Sequence, residues 1–375
     1  MYDLSTKLNT SEHLIEALCL LNYLLSNSPS NFHAKLLCLQ IYHRLGCSLG
    51  AQKTYENLNF KFIQLDSLGY LHASQMPVLG LTTVAKALYD QTLKFFTNSH
   101  KESMEYLSMC YRFGSFSKLQ EFMDFRDRLS NSFHFSLTSV EALLLELVTL
   151  NGTHQQNVNI YKSMRLGIEE DRIQWSELRD NRDLSLLVRW DPDQTKPEQI
   201  NLPAESYIQD KALLRIRAAL LRLVGAFVEC ICQDSSEVQS KTTNKLETLQ
   251  ALASHWDEVF ADVRGANHQP TSTEFLVDLL PSRLHAVLRM PYESHFRNLA
   301  KLILGLEQGT DDAIEELVKC CDADIAAMAE IIVRSVENNN LDNDPILSRR
   351  SAQESIGMAI EVCILLQTFH WKPSH

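Results

Sequence analysis

Apolar residues recur along the chain at intervals of three and four positions, which is the period of an amphipathic helix. Leu14, Leu18, Leu21 and Leu25 form such a stripe near the N-terminus. No segment shows sustained alternation of apolar and polar residues, so the pattern predicts an all-α protein. In the first part of the chain it predicts helices over 11–27, 32–45, 50–58, 64–76, 81–97, 101–113, 116–129 and 135–150.

The helical pattern stops after residue 150 and returns after residue 204. The stretch between is polar, and residues 191–203 hold three prolines, which is typical of a linker or an extended strap. Beyond it we predict helices over 205–232, 242–264 and 351–369, with shorter helices up to residue 336. The expected organisation is a helical solenoid over 1–150, a charged strap and linker over 151–203, and a C-terminal helical block over 204–375.

Three sets of residues recur at a constant step of 34 positions: Ala17, Ala51 and Ala85; Gly46, Gly80 and Gly114; and Leu21, Tyr55 and Tyr89. That step is the period of the tetratricopeptide repeat, a helix–turn–helix unit. Alanines let neighbouring helices approach closely, and glycines open the turns between helices. We therefore predict a tetratricopeptide-type α-solenoid of helix pairs, with the three alanines buried at helix crossings. The alternative is a chance spacing in a helical protein rich in alanine and leucine.

Composition and charge narrow the possible partners. Glycine (12 residues) and proline (10) are scarce for a chain of 375 residues, which again favours helices joined by short connections. The formal net charge of −12 disfavours a nucleic-acid surface, so no direct nucleic-acid binding is expected. Arg215, Arg217 and Arg222 lie among the leucines of the most apolar stretch. We expect them to flank a buried face, and their charge disfavours membrane insertion.

Cysteine usage and the N-terminal residues bear on the compartment. Nine cysteines are scattered without a disulfide framework, which points to a reducing compartment, the cytosol or the nucleus. The N-terminal residues show no basic region followed by an apolar run, so no signal peptide is expected. Cytoplasmic localisation is the resulting prediction.

The sequence lacks the motifs that carry common catalytic and metal chemistry. It contains no His-Glu-x-x-His, no Cys-x-x-Cys, no Gly-x-Ser-x-Gly and no Gly-x-x-x-x-Gly-Lys-Ser/Thr. Cys230 and Cys232 stand too close together for a zinc ligand pair, and so do Cys320 and Cys321. We expect no catalytic residue and no metal site.

The sequence of one segment is similar to that of a cofactor-binding loop. Arg222-Leu-Val-Gly225-Ala-Phe227 approaches the Arg/Gln-x-x-Gly-x-Gly/Ala pattern with which acyl-CoA-dependent acetyltransferases hold the cofactor's pyrophosphate at a helix N-terminus. The last position is a bulky phenylalanine, and the segment lies inside a long predicted helix whose amides are already bonded. We interpret it as core packing and expect no cofactor, acetyl-CoA included.

A dense run of charges between Glu169 and Asp183 is the most unusual local feature. Such a run is usually a solvated helix face. Two tryptophans accompany it, however, and large apolar rings need packing partners. We therefore expect an ordered strap, with both tryptophans largely buried and its arginines and aspartates paired. The candidate structural or partner-contact residues are Trp175, Arg179, Asp180, Arg182, Asp183 and Trp190.

The strap residues also resemble a known family. Lys162-Ser163-Met164, Trp175, Leu178-Arg179-Asp180-Asn181-Arg182-Asp183-Leu184 and Trp190-Asp191-Pro192 are similar to the auxiliary subunit of the NatB N-terminal acetyltransferase complex. Upstream, Ser28-Pro29-Ser30-Asn31 and Gly69-Tyr70-Leu71 resemble it as well. The resemblance extends over about 15–192. After that it is weaker and lies mostly in the general pattern of the sequence.

The resemblance implies a non-catalytic helical-repeat scaffold that wraps a catalytic N-acetyltransferase subunit and helps to place it at the ribosome. It implies that the complex acetylates nascent chains beginning Met-Asp, Met-Glu, Met-Asn or Met-Gln. It assigns no catalytic residue to this subunit, in agreement with the missing motifs.

Two features depart from the family pattern. The chain begins in mid-repeat, so we expect a C-terminal or truncated portion of a longer protein, with ribosome contacts in the parts that precede it. Pro77 and the segment Ala73–Leu81 interrupt a helix that the repeat would continue. The rival hypothesis is a stand-alone helical-repeat adaptor for protein–protein interaction, such as a chaperone or trafficking scaffold.

Overall fold

The computed structural model describes residues 10–150, 159–160, 163–164, 173–187, 202–231, 239–265, 283–308, 311–337 and 344–367. Within these ranges no β-strand occurs, and one isolated parallel bridge joins Ser132 to Arg179. The all-α prediction is confirmed. None of the described helices combines the length and apolarity that crossing a bilayer requires.

The helices fall into two groups along the chain. The N-terminal helices are α1 (Glu12–Asn27), α2 (Phe32–Arg44), α3 (Ser48–Leu58), α4 (Gln64–Ser67), α5 (Thr82–Arg112), α6 (Phe116–Ser130) and α7 (Phe133–Val148). The C-terminal helices are α8 (Leu202–Ile231), α9 (Gln239–Gly265), α10 (Leu284–Arg289), α11 (Tyr292–Gln308), α12 (Asp311–Glu337) and α13 (Pro345–Gln367).

The three glycines at the 34-residue step end helical segments in the same way. Gly46, Gly80 and Gly114 all have positive φ, at 64°, 78° and 68°, a conformation that costs glycine little. In each turn the next residue's N–H donates to the carbonyl five positions back, from Cys47 to Tyr42 for example, at 2.9 Å. This is the Schellman bond of a helix C-terminus. Helices α3, α5 and α6 then begin two residues after the glycines.

Two of the three alanines at that step are buried in the apolar core. Ala51 and Ala85 are fully buried, and Tyr55 and Tyr89 lie in the same apolar region. Ala17 is only half-buried, so the expectation for it is wrong. Ala17 lies at the edge of a smaller apolar cluster whose buried members come from α1 and α2 and the residue after α2.

The prediction of one helix over 64–76 is wrong. The chain instead forms the single turn α4 and two 3-10 turns, Gly69–Leu71 and Ala73–Gln75. A methyl group on Gly69 would lie 2.8 Å from Nε2 of His134, so the imidazole ring packs directly on the glycine backbone. The interruption expected before Leu81 is therefore present, and it begins earlier than the sequence suggested.

The two helices predicted over 81–97 and 101–113 are one helix. Helix α5 runs without a break for 31 residues. Residues 97–101 contain neither glycine nor proline, so nothing stops the helix. Its length lets it pack against both α6 and α7.

Helix α8 is the centre of the C-terminal block. It packs against α7, α9, α10 and α11, and Leu214, Leu220 and Phe227 on it are fully buried. The segment that approached a cofactor loop lies inside this helix. The same apolar cluster includes Phe133 and Leu144 of α7, so the core continues across residue 150. The three-part division of the chain stays a prediction.

Candidate functional site

Backbone hydrogen bonds attach the described part of the strap, residues 173–187, to the N-terminal helices. The N–H of Arg179 donates to the carbonyl of Asn131 (2.8 Å), and its carbonyl accepts from the N–H of Phe133 (2.9 Å). Further along, the N–H of Asp183 donates to the carbonyl of Ser67 at 2.9 Å. The strap therefore joins the α6–α7 turn to the turn that follows α4.

A buried carboxylate secures this attachment. Asp66 is fully buried and accepts hydrogen bonds from Oγ of Ser132 (2.6 Å) and Nδ2 of Asn181 (3.0 Å). Burial raises the pKa of Asp66, although both hydrogen bonds oppose the rise. A buried carboxylate is costly unless it is bonded, so Asp66 fixes the positions of Asn181 and Ser132.

Arg182 is the centre of a charge cluster, the strap cluster, which consists of Asp180, Arg182 and Asp210. Its guanidinium donates twice to Asp180, both bonds being 2.8 Å long, and once to Asp210 on α8 at 2.6 Å. The Arg182 side chain is 3% exposed, against 18% for Asp180 and 17% for Asp210. Burial alone would lower the pKa of Arg182, but the two aspartates raise it.

Aromatic rings complete the surroundings of Arg182. Its Cζ atom lies 5.1 Å from the ring centroid of Phe133 and 5.6 Å from that of Tyr70, within the range of a cation–π interaction. The Oη of Tyr70 donates to the carbonyl of Asp183 at 2.9 Å. One side chain of the strap thus contacts the N-terminal turns, α7 and α8.

The remaining strap residues differ from the prediction. Trp175 is half-buried, not largely buried, because its ring packs at the edge of the main apolar cluster. Arg179 is exposed, and within the described residues it is held through its backbone. The side chain of Asp183 is also exposed. Trp190 lies outside the described residues. The structure therefore brings together Asp180 and Arg182 of the predicted set.

Sequence reasoning missed a second charge cluster, which lies deeper. This buried cluster consists of Glu141 on α7, Arg217 on α8, Arg283 beside α10, Tyr292 on α11 and Glu361 on α13, all of them buried. Its two arginines balance its two glutamates. Because buried charges are expensive unless paired, the cluster makes these five helices depend on one another.

Arg217 is the central donor of the buried cluster. It donates from Nε to Glu141 at 2.8 Å and from one terminal nitrogen to Glu361 at 2.9 Å. Another bond, at 3.1 Å, reaches the Oη of Tyr292. Burial opposes the charge on Arg217, but the two glutamates outweigh it and hold the pKa of Arg217 well above its ordinary value.

Arg283 is the second arginine that contacts both glutamates of the buried cluster. It donates to Glu141 at 2.9 Å and lies 3.5 Å from Glu361. Burial would raise the pKa of Glu141, but Arg217 and Arg283 lower it to about 2. Glu141, Arg217 and Arg283 therefore stay charged over the whole neutral range.

The expectation that Arg217 flanks a buried face is wrong: the side chain lies inside the core. Arg215 fits the expectation better, since it is partly exposed and pairs with Asp262 at the surface, 3.0 Å away. A signal was present, because position 217 stands four after Leu213 and three before Leu220. That spacing places it on the apolar face of α8.

A cavity of about 90 Å³ is lined by residues of both clusters, among them Arg182, Glu141 and Arg283. A buried histidine pair stands nearby: His43 and His72 lie 3.1 Å apart between their ring nitrogens. Across the described ranges, no group of three or more His, Cys, Asp or Glu side chains is arranged to hold a metal ion.

Two family models match the chain one after the other. Residues 1–184 match the family described as the N-acetyltransferase B complex (NatB) non catalytic subunit, and residues 188–369 match the Psidin-like C-terminal domain. Residues 1–184 are therefore similar to the NatB non-catalytic subunits. The two matched regions meet close to the strap, and the buried cluster draws Glu141 from the first region and its other members from the second.

Individual relatives of this family match the chain over part of their own length. The Phagocyte signaling-impaired protein of Aedes aegypti is 47% identical over 369 residues, covering 98% of this chain and 38% of that protein. The human N-alpha-acetyltransferase 25, NatB auxiliary subunit, is 38% identical over 212 residues, covering 56% and 22%. The chain thus spans well under half the length of these relatives.

A solved structure is also similar to the chain. It is described as "The NatB Acetyltransferase Complex Bound To CoA and MES", and the match covers 96% of this chain and 50% of that one. The sequence identity is 17% and the TM-score is 0.48.

Proposed function

We propose that this chain acts as a non-catalytic scaffold of a NatB-type N-terminal acetyltransferase and holds the catalytic subunit. The observation that carries the proposal is the family match over residues 1–184, reinforced by relatives named as NatB auxiliary subunits. By the same family relation, the complex acts on nascent chains beginning Met-Asp, Met-Glu, Met-Asn or Met-Gln.

The internal chemistry of the chain suits a scaffold. The buried arginines and glutamates bond to one another, and in this arrangement they stabilise the fold instead of facing a substrate. Helices stacked in this way offer a large surface for a partner. A rigid surface also loses less entropy when a partner binds, which favours a stable complex.

Finer features of the proposal follow from the family relation and the repeat spacing. The N-terminal helices form pairs of the tetratricopeptide type, the complex works in the cytoplasm, and it associates with the ribosome. The recurring glycine turns at residues 46, 80 and 114 support the repeat assignment.

Reconstitution tests the proposal. The chain is co-expressed with a catalytic NatB subunit and purified by size exclusion, and acetyl transfer to a Met-Asp peptide is measured with a Ser-Asp peptide as the control substrate. We expect co-elution and faster transfer to the Met-Asp peptide than with the catalytic subunit alone. Separate elution, with no change in transfer, would contradict the proposal and favour the stand-alone adaptor.

Calorimetry with acetyl-CoA separates a scaffold from an enzyme. The chain alone should give no binding heat, because the segment from Arg222 to Phe227 lies within α8 with its amides bonded inside the helix. Saturable binding of acetyl-CoA to the isolated chain would contradict a purely non-catalytic role.

A further inference from the structure

A groove of about 360 Å³ lies between α5, α6 and the start of α7, away from both charge clusters. Phe96, Leu129 and Phe135 form its apolar lining, and His100, Lys101 and Arg126 supply its nitrogen-bearing side chains. No acidic residue belongs to the lining. The nearest acidic residues in sequence, Glu102 and Asp127, lie outside it.

Arg126 differs from the arginines of the two charge clusters. Arg182, Arg217 and Arg283 each bond to carboxylates, whereas no ion pair of the described residues includes Arg126. The contact that its guanidinium makes is with Sδ of Met104, at 2.9 Å, and a thioether is a weak acceptor. A half-buried guanidinium facing a groove without an acid is suited to an anion from outside.

The hydroxyl groups of the groove extend this donor set. Thr97 and Ser103 already donate to helix carbonyls, at 3.0 and 2.9 Å, so they offer only acceptor capacity. Ser99 and Ser130 also line the groove, and each can donate a hydrogen bond. Together with Lys101 and Arg126 they present donors that match the oxygens of a carboxylate.

The size and the apolar lining indicate what carries that carboxylate. A bare ion would leave most of a groove of this volume unfilled and the partly exposed ring of Phe135 uncovered. Met104 beside Arg126 is 46% exposed, and methionine adapts its shape to apolar partners. A peptide segment with an apolar side chain next to an acidic one would fill both parts of the groove.

We propose that this groove binds an acidic, partly apolar segment of a partner protein, whose carboxylates pair with Arg126 and Lys101. The formal net charge of the whole chain is −12, so the groove is a local positive site on an acidic protein. Charge complementarity therefore selects an acidic occupant. The site is separate from the two clusters, and its test does not involve an acetyltransferase.

Fluorescence anisotropy tests this site with the full chain. The probe is a fluorescein-labelled peptide of alternating glutamate and phenylalanine, and the control peptide carries glutamine in place of glutamate. We expect saturable binding of the acidic peptide, weaker binding at higher salt, and a loss of about tenfold or more in affinity for Arg126→Gln. Lys101→Gln should weaken binding in the same direction.

Arg112→Gln is the matched control, because Arg112 is exposed at the end of α5, the helix that carries Lys101, and lies outside the groove lining. It should bind the acidic peptide as the unaltered chain does. Equal affinity for Arg126→Gln and the unaltered chain would overturn the proposal. So would equal binding of both peptides, or full displacement by inorganic phosphate at low concentration, since each outcome removes the need for an acidic peptide.

Discussion

Two charge clusters join the N-terminal helices to the C-terminal block, and they differ in their access to water. In the strap cluster one buried guanidinium meets two aspartates that keep 18% and 17% of their side-chain surface exposed. In the buried cluster no charged side chain is more than 9% exposed. The first can exchange protein partners for water when it is disturbed, and the second cannot.

This difference in exposure determines how much free energy of unfolding is lost when an ion pair of each cluster is broken. A partly exposed ion pair loses little when broken, since water replaces the lost partner. Breaking a buried pair leaves a charge without either partner or water. We therefore expect the buried cluster to dominate the stability of the junction, although the strap carries the more conspicuous run of charges.

The largest effect is expected from Arg217→Met. The substitution leaves Glu141 and Glu361 buried with Arg283 and the Tyr292 hydroxyl as their remaining partners. The expected loss of unfolding free energy is about 3–5 kcal/mol. Urea denaturation measures it. Arg215→Met is the control, because that arginine pairs at the surface and its loss should be below about 1 kcal/mol. Similar losses for both variants would show that burial is not the cause.

If Arg217→Met does not fold, Arg217→Lys gives the same comparison. Lysine keeps the charge but has one nitrogen in place of the planar three-nitrogen fork, so it cannot reproduce the two-point bond to Glu141. We expect a smaller loss than for methionine, still larger than that of Arg215→Lys. A lysine variant as stable as the unaltered protein would contradict the role of the guanidinium geometry.

The strap cluster should respond less strongly. Arg182→Met removes three hydrogen bonds but leaves aspartates that water reaches, so we expect a loss of about 2–3 kcal/mol. Arg179→Met changes an exposed side chain three residues away on the same strap and should shift stability by less than about 0.5 kcal/mol. Thermal denaturation compares the two, and an equal shift would mean that the strap is an ordinary solvated face.

Acid should weaken the N-terminal part before it weakens the buried cluster. Burial lowers the pKa of His72 to about 3 and that of His134 to about 4, from 6.5. Below pH 6.5 the unfolded chain binds protons that the folded chain excludes, so stability falls by at most about 1.4 kcal/mol per pH unit for each histidine. Glu141 responds only at lower pH. The stability that its ionised carboxylate contributes is fully present above pH 4.5 and is lost as the pH falls toward about 2.

A pH series of urea denaturation checks this order. His134→Gln should flatten the fall in stability below pH 6.5, whereas His100→Gln, at an exposed position, should leave it unchanged. A stability that stays constant between pH 6.5 and 4 would contradict the burial of neutral histidines.

The smallest effect concerns Asp180. Asp180→Asn keeps the shape of the side chain and removes its charge next to Arg182, so we expect a loss of about 1 kcal/mol. Glu177→Gln, an exposed change on the same strap, should be silent. Differential scanning calorimetry resolves the two, and identical melting temperatures would contradict a structural role for Asp180.

The predictability of the two clusters follows from their spacing in the chain. Asp180 and Arg182 are two residues apart, so a local run of charges revealed the strap. Glu141 and Arg217 are 76 residues apart and Arg217 and Glu361 are 144 apart, so no local pattern contains the buried cluster. Periodicity likewise located the helices that bury an apolar face and failed at Gly69, where the packing of His134 decides the backbone.

One measurement tests most directly whether the two family-matched regions fold as one unit. Hydrogen exchange with mass spectrometry, in increasing urea, reports protection in α3 and α7 separately from α8 and α11. The buried cluster links α7 to α8 and α11, and α3 shares an apolar cluster with Leu145 of α7. We therefore expect all four helices to lose protection in a single transition, at a urea concentration that Arg217→Met lowers for all of them together. Loss of protection in α3 and α7 while α8 and α11 stay protected would contradict the claim that the two regions fold as one unit.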